Sequence, residues 1–227
     1  MSSLDDHDFR DAFRQRFAAF HNNDALSDFT ISCGQSRWKV HKFVLSVHSR
    51  VLASACSGNF KEGREGVLDL SKHGVGEVEA LVHWFYAFDY ECQELEDNSP
   101  FDALSFHIKM AIIADKYFLD GLNDLACRKF IDLSDSIMLE DDEDTDLAKL
   151  ALEAYSVSHA TKDICRDLID LIIERLPLEQ GKHKALWQAM GGQAEFAVDI
   201  ARGLQGQCRD LNRRLEDATS NKRMRGR

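Results

Sequence analysis

An α+β fold followed by a helical extension is what this sequence predicts, on three observations. Residues 29–33 alternate, with Phe29, Ile31 and Cys33 set against Thr30 and Ser32. Trp38 and Val40 share a face of a second short run, and Gly34-Gln35-Ser36 between the runs offers a tight turn, so the pair reads as a β-hairpin. From Val44 onward the apolar spacing changes to three and four residues, and it keeps returning to that period along the chain. With two prolines in 227 residues, helix is expected to dominate.

The elements follow in order. Residues 5–21 read as a helix in which Phe9, Phe13, Phe17 and Phe20 recur every three to four residues, with Asp5 and Asp6 at its positive end. That stripe must be buried, either against its own domain or against a second copy of the chain. After the hairpin, Val44, Leu45, His48, Val51, Leu52 and Ala55 form one apolar helical stripe, with Asp28, His41 and Lys42 at the strand-to-helix corner. Val67–Leu70 alternates as a short strand. Residues 75–90 read as a helix with Val78, Leu81, Val82 and Phe85 on its core face, then a short strand. An acidic loop, Glu91–Pro100, precedes a helix from Phe101 through Leu104, His107, Ile108, Ala111 and Ile112. Gly121 then relaxes a corner, Tyr117 closes the core, and Leu122, Leu125, Ala126, Cys127, Phe130 and Ile131 continue a buried face.

The second half is helical by the same test. The acidic run Glu140–Asp146 reads as a solvated linker. Leu147, Leu150, Ala151, Ala154 and Tyr155 define one helix. Ile164, Leu168, Leu171, Ile172 and Leu176 define another, capped by Thr161 and stopped by Pro177. A last helix over 183–218 carries Met190, Ala194, Ala197, Ala201, Leu204, Cys208, Leu211 and Leu215 in alternating steps of four and three, a 3.5-residue period. It either lies on its own helical subdomain or forms a coiled-coil seam between chains. The tail, with Lys222, Arg223, Arg225 and Arg227, is a frayed terminus or a nuclear address.

Several phrases together resemble the BTB/POZ family of protein-interaction domains: Asp28-Phe29 opening the first strand, Val40-His41-Lys42 with Leu45 three residues on, Ser57-Gly58-Asn59-Phe60, and Ala114-Asp115-Lys116-Tyr117 before Leu122. Phe85-Tyr86-Ala87-Phe88-Asp89-Tyr90 resembles the family's aromatic exit into a turn and short strand. The resemblance implies a BTB/POZ fold, a small mainly antiparallel sheet packed on a helical cluster. Residues 152–155, 166–170 and 195–199 resemble, more loosely, the C-terminal helices of fungal BTB proteins. The expected organisation is an N-terminal amphipathic helix over 1–23, the BTB/POZ domain over 24–134, an acidic linker over 135–146, a helical extension over 147–220 and a basic tail over 221–227.

Two interaction sites follow from the resemblance. In related dimers the helix before the first strand packs against the second copy, which would place Phe9, Phe13 and Phe17 at a dimer interface. Asp28 and Lys42 match an acidic and a basic position that form a charged pocket at the dimer groove, or else an ordinary pair holding the hairpin to the helix. Phe60-Lys61-Glu62 matches the hydrophobic-x-glutamate phrase of adaptors that dock a cullin scaffold, an apolar anchor beside a hydrogen-bonding carboxylate.

Composition narrows the rest. At 44% hydrophobic and 30% charged the chain can bury a core and stay dissolved, and a net charge of −11 argues against wholesale binding to nucleic acid or an acidic membrane. No apolar run reaches the roughly 18 residues of a membrane span, and MSSLDDHDFRD lacks the apolar stretch of a signal peptide. Six scattered cysteines without a CxxC pair suit reduced core residues of an intracellular protein, cytoplasmic or nuclear. His41 and His48 are spaced two helical turns apart, too far for a metal pair. No GxSxG and no phosphate loop is present, and the carboxylates lie in runs. The expectation is a self-associating scaffold or regulator, with a cullin-ligase adaptor as the alternative. Catalysis, cofactor, metal and small-molecule substrate are not expected.

Overall fold

The computed structural model describes residues 6–21, 23–24, 26–92, 99–137, 144–176 and 182–225, without the side chains of 6–9 and 219–225. The chain divides into two units, Met1–Lys129 and Phe130–Arg227.

The first unit is built around the expected hairpin. β1 (Phe29–Cys33) pairs antiparallel with β2 (Ser36–Val40), Phe29 opposite Val40 and Ile31 opposite Trp38. Gly34, at φ +57°, takes the left-handed conformation that the first position of a two-residue hairpin turn requires. β3 (Val67–Asp69) adds to the other side of β1 in parallel, so the three-stranded sheet runs β2-β1-β3 and is half antiparallel. As the central strand, β1 is buried along its whole length, Thr30 and Ser32 included, so its alternation does not mark a solvent face.

Helices surround this sheet. α1 (Asp6–Ala18) precedes it. The apolar stripe after the hairpin is cut into α2 (Lys42–His48) and α3 (Arg50–Cys56). Ser49 makes the break: it is extended at φ −150°, and its hydroxyl accepts from the N–H groups of Val51 and Leu52 while donating to Tyr117 O at 2.5 Å. α4 (Lys61–Glu65) is a single short turn pair, and α5 (Val75–Ala87) buries Val78, Leu81, Val82, Phe85 and Tyr86. The short strand expected after α5 is not found among the described residues 88–92. Phe88 takes φ +57° and turns the chain, and Tyr90 is carried into the core, where its hydroxyl meets His107 Nδ1 at 2.8 Å. Most of the acidic loop that follows, residues 93–98, lies outside the described residues.

α6 (Pro100–Lys116) starts with a reciprocal cap between Ser99 and Asp102 and proline in the first turn. The corner to α7 (Asp120–Ser136) is not made by Gly121, which is already helical. Phe118 makes it, at φ +53° with its ring 70% exposed. A side chain pays for a left-handed backbone where glycine does not. Phe118→Gly is therefore expected to raise the stability of this unit by about 0.5–1 kcal/mol in a urea titration.

The second unit is all helix after α7: α8 (Asp144–Tyr155), α9 (Lys162–Arg175), α10 (Lys184–Gly192) and α11 (Ala194–Arg225). α8 begins inside the run read as a linker, and Asp144 accepts from Ala185 N–H at 3.1 Å; residues 138–143 and Pro177 lie outside the described residues. Thr161 precedes α9 without capping it. Its hydroxyl turns back to Ala154 O at 2.6 Å and closes the α8–α9 turn. The single last helix expected over 183–218 is two, broken at Gln193, and it is Phe196 and Ile200 that bury the start of α11, residues that fall between the seam positions read from spacing. Four cysteines are buried as expected; Cys92 is half-buried and Cys208 is exposed.

Candidate interaction surface

The corner between hairpin and α2 is held by polar groups. Asp28 Oδ1 accepts from the backbone N–H of Lys42 at 2.8 Å, giving the first turn of α2 a carboxylate at its positive end. Lys42's ammonium instead lies 5.6 Å from the centre of the Phe29 ring. The two charges are thus joined through a backbone bond. His41 supplies the other half of the corner: its N–H donates to Tyr86 Oη at 3.1 Å, and its Nδ1 lies 2.8 Å from the same oxygen. Burial pushes the Tyr86 phenol up to about 12, so the hydroxyl stays neutral and serves both contacts.

With its first turn fixed, α2 has a settled orientation. Val44 and Leu45 point inward, and His48 Nε2 lies 2.8 Å from Phe85 O. Burial lowers the His48 pKa. Phe43 and Val47, one helical turn apart, are left 72% and 67% exposed. Both fall off the stripe expected at 44, 45, 48, 51 and 52, of which Val51 is itself left exposed, and sequence reasoning passed over them for that reason. The signal was available: two large apolar residues at i and i+4 on the face a core stripe leaves to solvent.

α1 adds to this side. Phe17 is half-buried against α5, its ring 5.6 Å from Tyr86 and 6.0 Å from Phe88. Phe13 stacks on Phe17 at 5.9 Å and stays exposed, and Phe20 meets His41 edge-on at 5.8 Å. Phe9's side chain lies outside the described ones. His48 of α2 touches the Phe88 ring at 5.5 Å, so α1 and α2 meet on Phe88. The stripe of α1 is thus divided: Phe17 faces its own domain while Phe13 faces solvent.

Phe60 and Glu62 sit apart from that corner. Phe60 is the residue before α4 and is 53% exposed; Glu62 is in the first turn. Gly63 lets α4 press against the end of α3, since a Cβ there would lie 1.6 Å from Ser57 O. No described residue hydrogen-bonds the Glu62 carboxylate, so an exposed ring and a half-buried acid without a hydrogen-bond partner stand two positions apart.

The second unit holds a cavity of about 660 Å³ beside Tyr155, Cys165 and Ile169. Lys162, Arg202, Glu195 and Asp199 stand round it, and Tyr155 donates to Asp199 at 3.0 Å. Burial raises the pKa of the Cys165 thiol to about 11, which removes its nucleophilic form. Among the described residues no group of three or more His, Cys, Asp or Glu is placed to hold a metal ion, and no helix is long and apolar enough to cross a membrane. What the described surface offers beside the hairpin corner is exposed apolar side chains, Phe13, Phe43 and Val47.

No curated protein matches the chain. A family model for the BTB/POZ domain matches residues 17–121, the hairpin, the helices around it and the α6–α7 corner. Residues 17–121 of this chain belong to the BTB/POZ family of protein–protein interaction domains.

Proposed function

We propose that this chain is a homodimerising scaffold or regulator that acts without catalysis, with itself as first partner. The observation that carries this is the exposure of Phe43 and Val47 together on α2, next to the α1 helix that shows Phe13. Contiguous apolar surface on a charged, acidic protein is costly to leave in water, and a two-fold axis lets one such face cover another. Phe13 extends the contact from α1, with Phe17 seated behind it against its own domain and Phe9 on the same helix, and Asp28 and Lys42 set the angle at which α2 presents it. The test is co-purification of a tagged and an untagged copy of the full chain, expressed together. Retention of the untagged copy is expected; its loss in the wash argues for a monomer.

Phe60 and Glu62 favour a second reading, docking to a cullin scaffold of a ubiquitin ligase. An exposed ring and an unpaired carboxylate two positions apart fit a pocket with donors at its rim. Under this reading the full chain retains a cullin in pull-down, and Phe60→Ala with Glu62→Ala weakens retention at least tenfold, about 1.4 kcal/mol. A native chain that retains none removes the reading and leaves the dimer untouched.

A further inference from the structure

α11 changes character along its length. Phe196 and Ile200 are buried, Leu204 is half-buried, and every described residue from Gln205 to Ala218 is exposed. A helix gains most of its stability from a packed face, and this stretch has none within its unit. It also carries Gly206, a poor helix former. Yet its apolar residues are not scattered. Leu204, Cys208, Leu211, Leu215 and Ala218 follow one another at steps of four, three, four and three, the spacing of a coiled-coil seam, and Leu211 and Leu215 are 58% and 66% exposed.

The charges indicate what covers it. Residues 204–218 hold three arginines (209, 213, 214) and three acids (210, 216, 217), so this stretch is neutral while the whole chain carries −11. Five of the six charges lie away from the seam. The positions beside it are Gln205, Gln207 and Asn212, with Arg214 the single charge there. Flanks of that kind select no oppositely charged partner and set up little repulsion against an identical helix.

We propose that residues 204–218 of α11 pair with the same stretch of a second copy as a two-stranded coiled coil. The proposal rests on the dimer argued above, because about two heptads are too short to hold two free chains together. Chains already joined elsewhere meet at a high effective concentration, and a short seam then suffices.

Cys208 provides the test, since it lies on the seam, and among the described cysteines it is the exposed one. The full chain is treated with a short bismaleimide, beside Cys208→Ser and beside Leu211→Asp with Leu215→Asp. Each protein is also weighed by sedimentation. The expected result is a linked pair in the native chain, none in Cys208→Ser, and linking at least tenfold slower in the double variant, which still sediments as a dimer. Equal linking rates in the native and double-variant dimers, or a native dimer that does not link at Cys208, overturn the coiled coil and leave the dimer standing. A native chain that sediments as a monomer overturns both.

Discussion

Replacing Phe43 and Val47 together by aspartate is expected to turn the dimer into a monomer while the fold survives. Both side chains are mostly in solvent within one chain, so the substitutions remove no core contact. In a two-fold interface each residue appears twice, and the double variant takes four apolar side chains out of the contact. Covering a partly exposed Phe or Val is worth roughly 1–2 kcal/mol each, so at least about 4 kcal/mol is lost, a thousandfold or more in dissociation constant. Four facing carboxylates add repulsion. Light scattering on the eluting protein reads the mass, and circular dichroism checks that the helices remain. A double variant that stays dimeric at the native concentration places the interface elsewhere.

Acid is expected to weaken the first unit through His107. Its ring is buried in α6 and, in the Nε2–H tautomer, accepts the Tyr90 hydroxyl at Nδ1. Burial, with the Lys129 charge adding to it, lowers its pKa from 6.5 to about 4. The folded state therefore binds a proton less readily than the unfolded chain. The stability held in the neutral ring is complete above about pH 6.5 and is lost as pH falls towards 4. At pH 4.5 the loss from this group alone is about 2 kcal/mol. His21, His48 and His73 are lowered by burial as well and act in the same direction. Urea titrations at pH 7 and pH 4.5 read the effect. His107→Gln, which has no ring to protonate, should lose about 2 kcal/mol less than the native chain over that interval. Identical pH dependence in the two proteins would contradict the role given to His107.

How much of this was legible in the sequence depended on whether the deciding interaction was local. The hairpin was readable because alternation and a glycine at its turn are local, though Ser36, read as part of the turn, belongs to β2 and pairs with Cys33. The α2–α3 break was not, because the apolar stripe runs straight across Ser49. The hydroxyl that ends one helix and starts the next is fixed by Tyr117, 68 residues away. Left-handed corners at Phe88 and Phe118 were hidden because no glycine marks either position. At the interaction surface the corner residues Asp28, His41 and Lys42 were named correctly as a corner, but the bond between Asp28 and Lys42 uses the lysine's backbone. Phe43 and Val47 were missed because a search for core stripes discards whatever lies off them. In the second unit the 3.5-residue period was read along one long helix. The fold splits it at Gln193, buries Phe196 and Ile200 from between the seam positions, and leaves the distal part uncovered.

The BTB/POZ unit is expected to work through an outer face that meets its own copy. Sedimentation equilibrium of the full chain at micromolar concentration tests it most directly. The expected mass is twice the 25.8 kDa of one chain, independent of loading over a tenfold range. A single 25.8 kDa species throughout would contradict it.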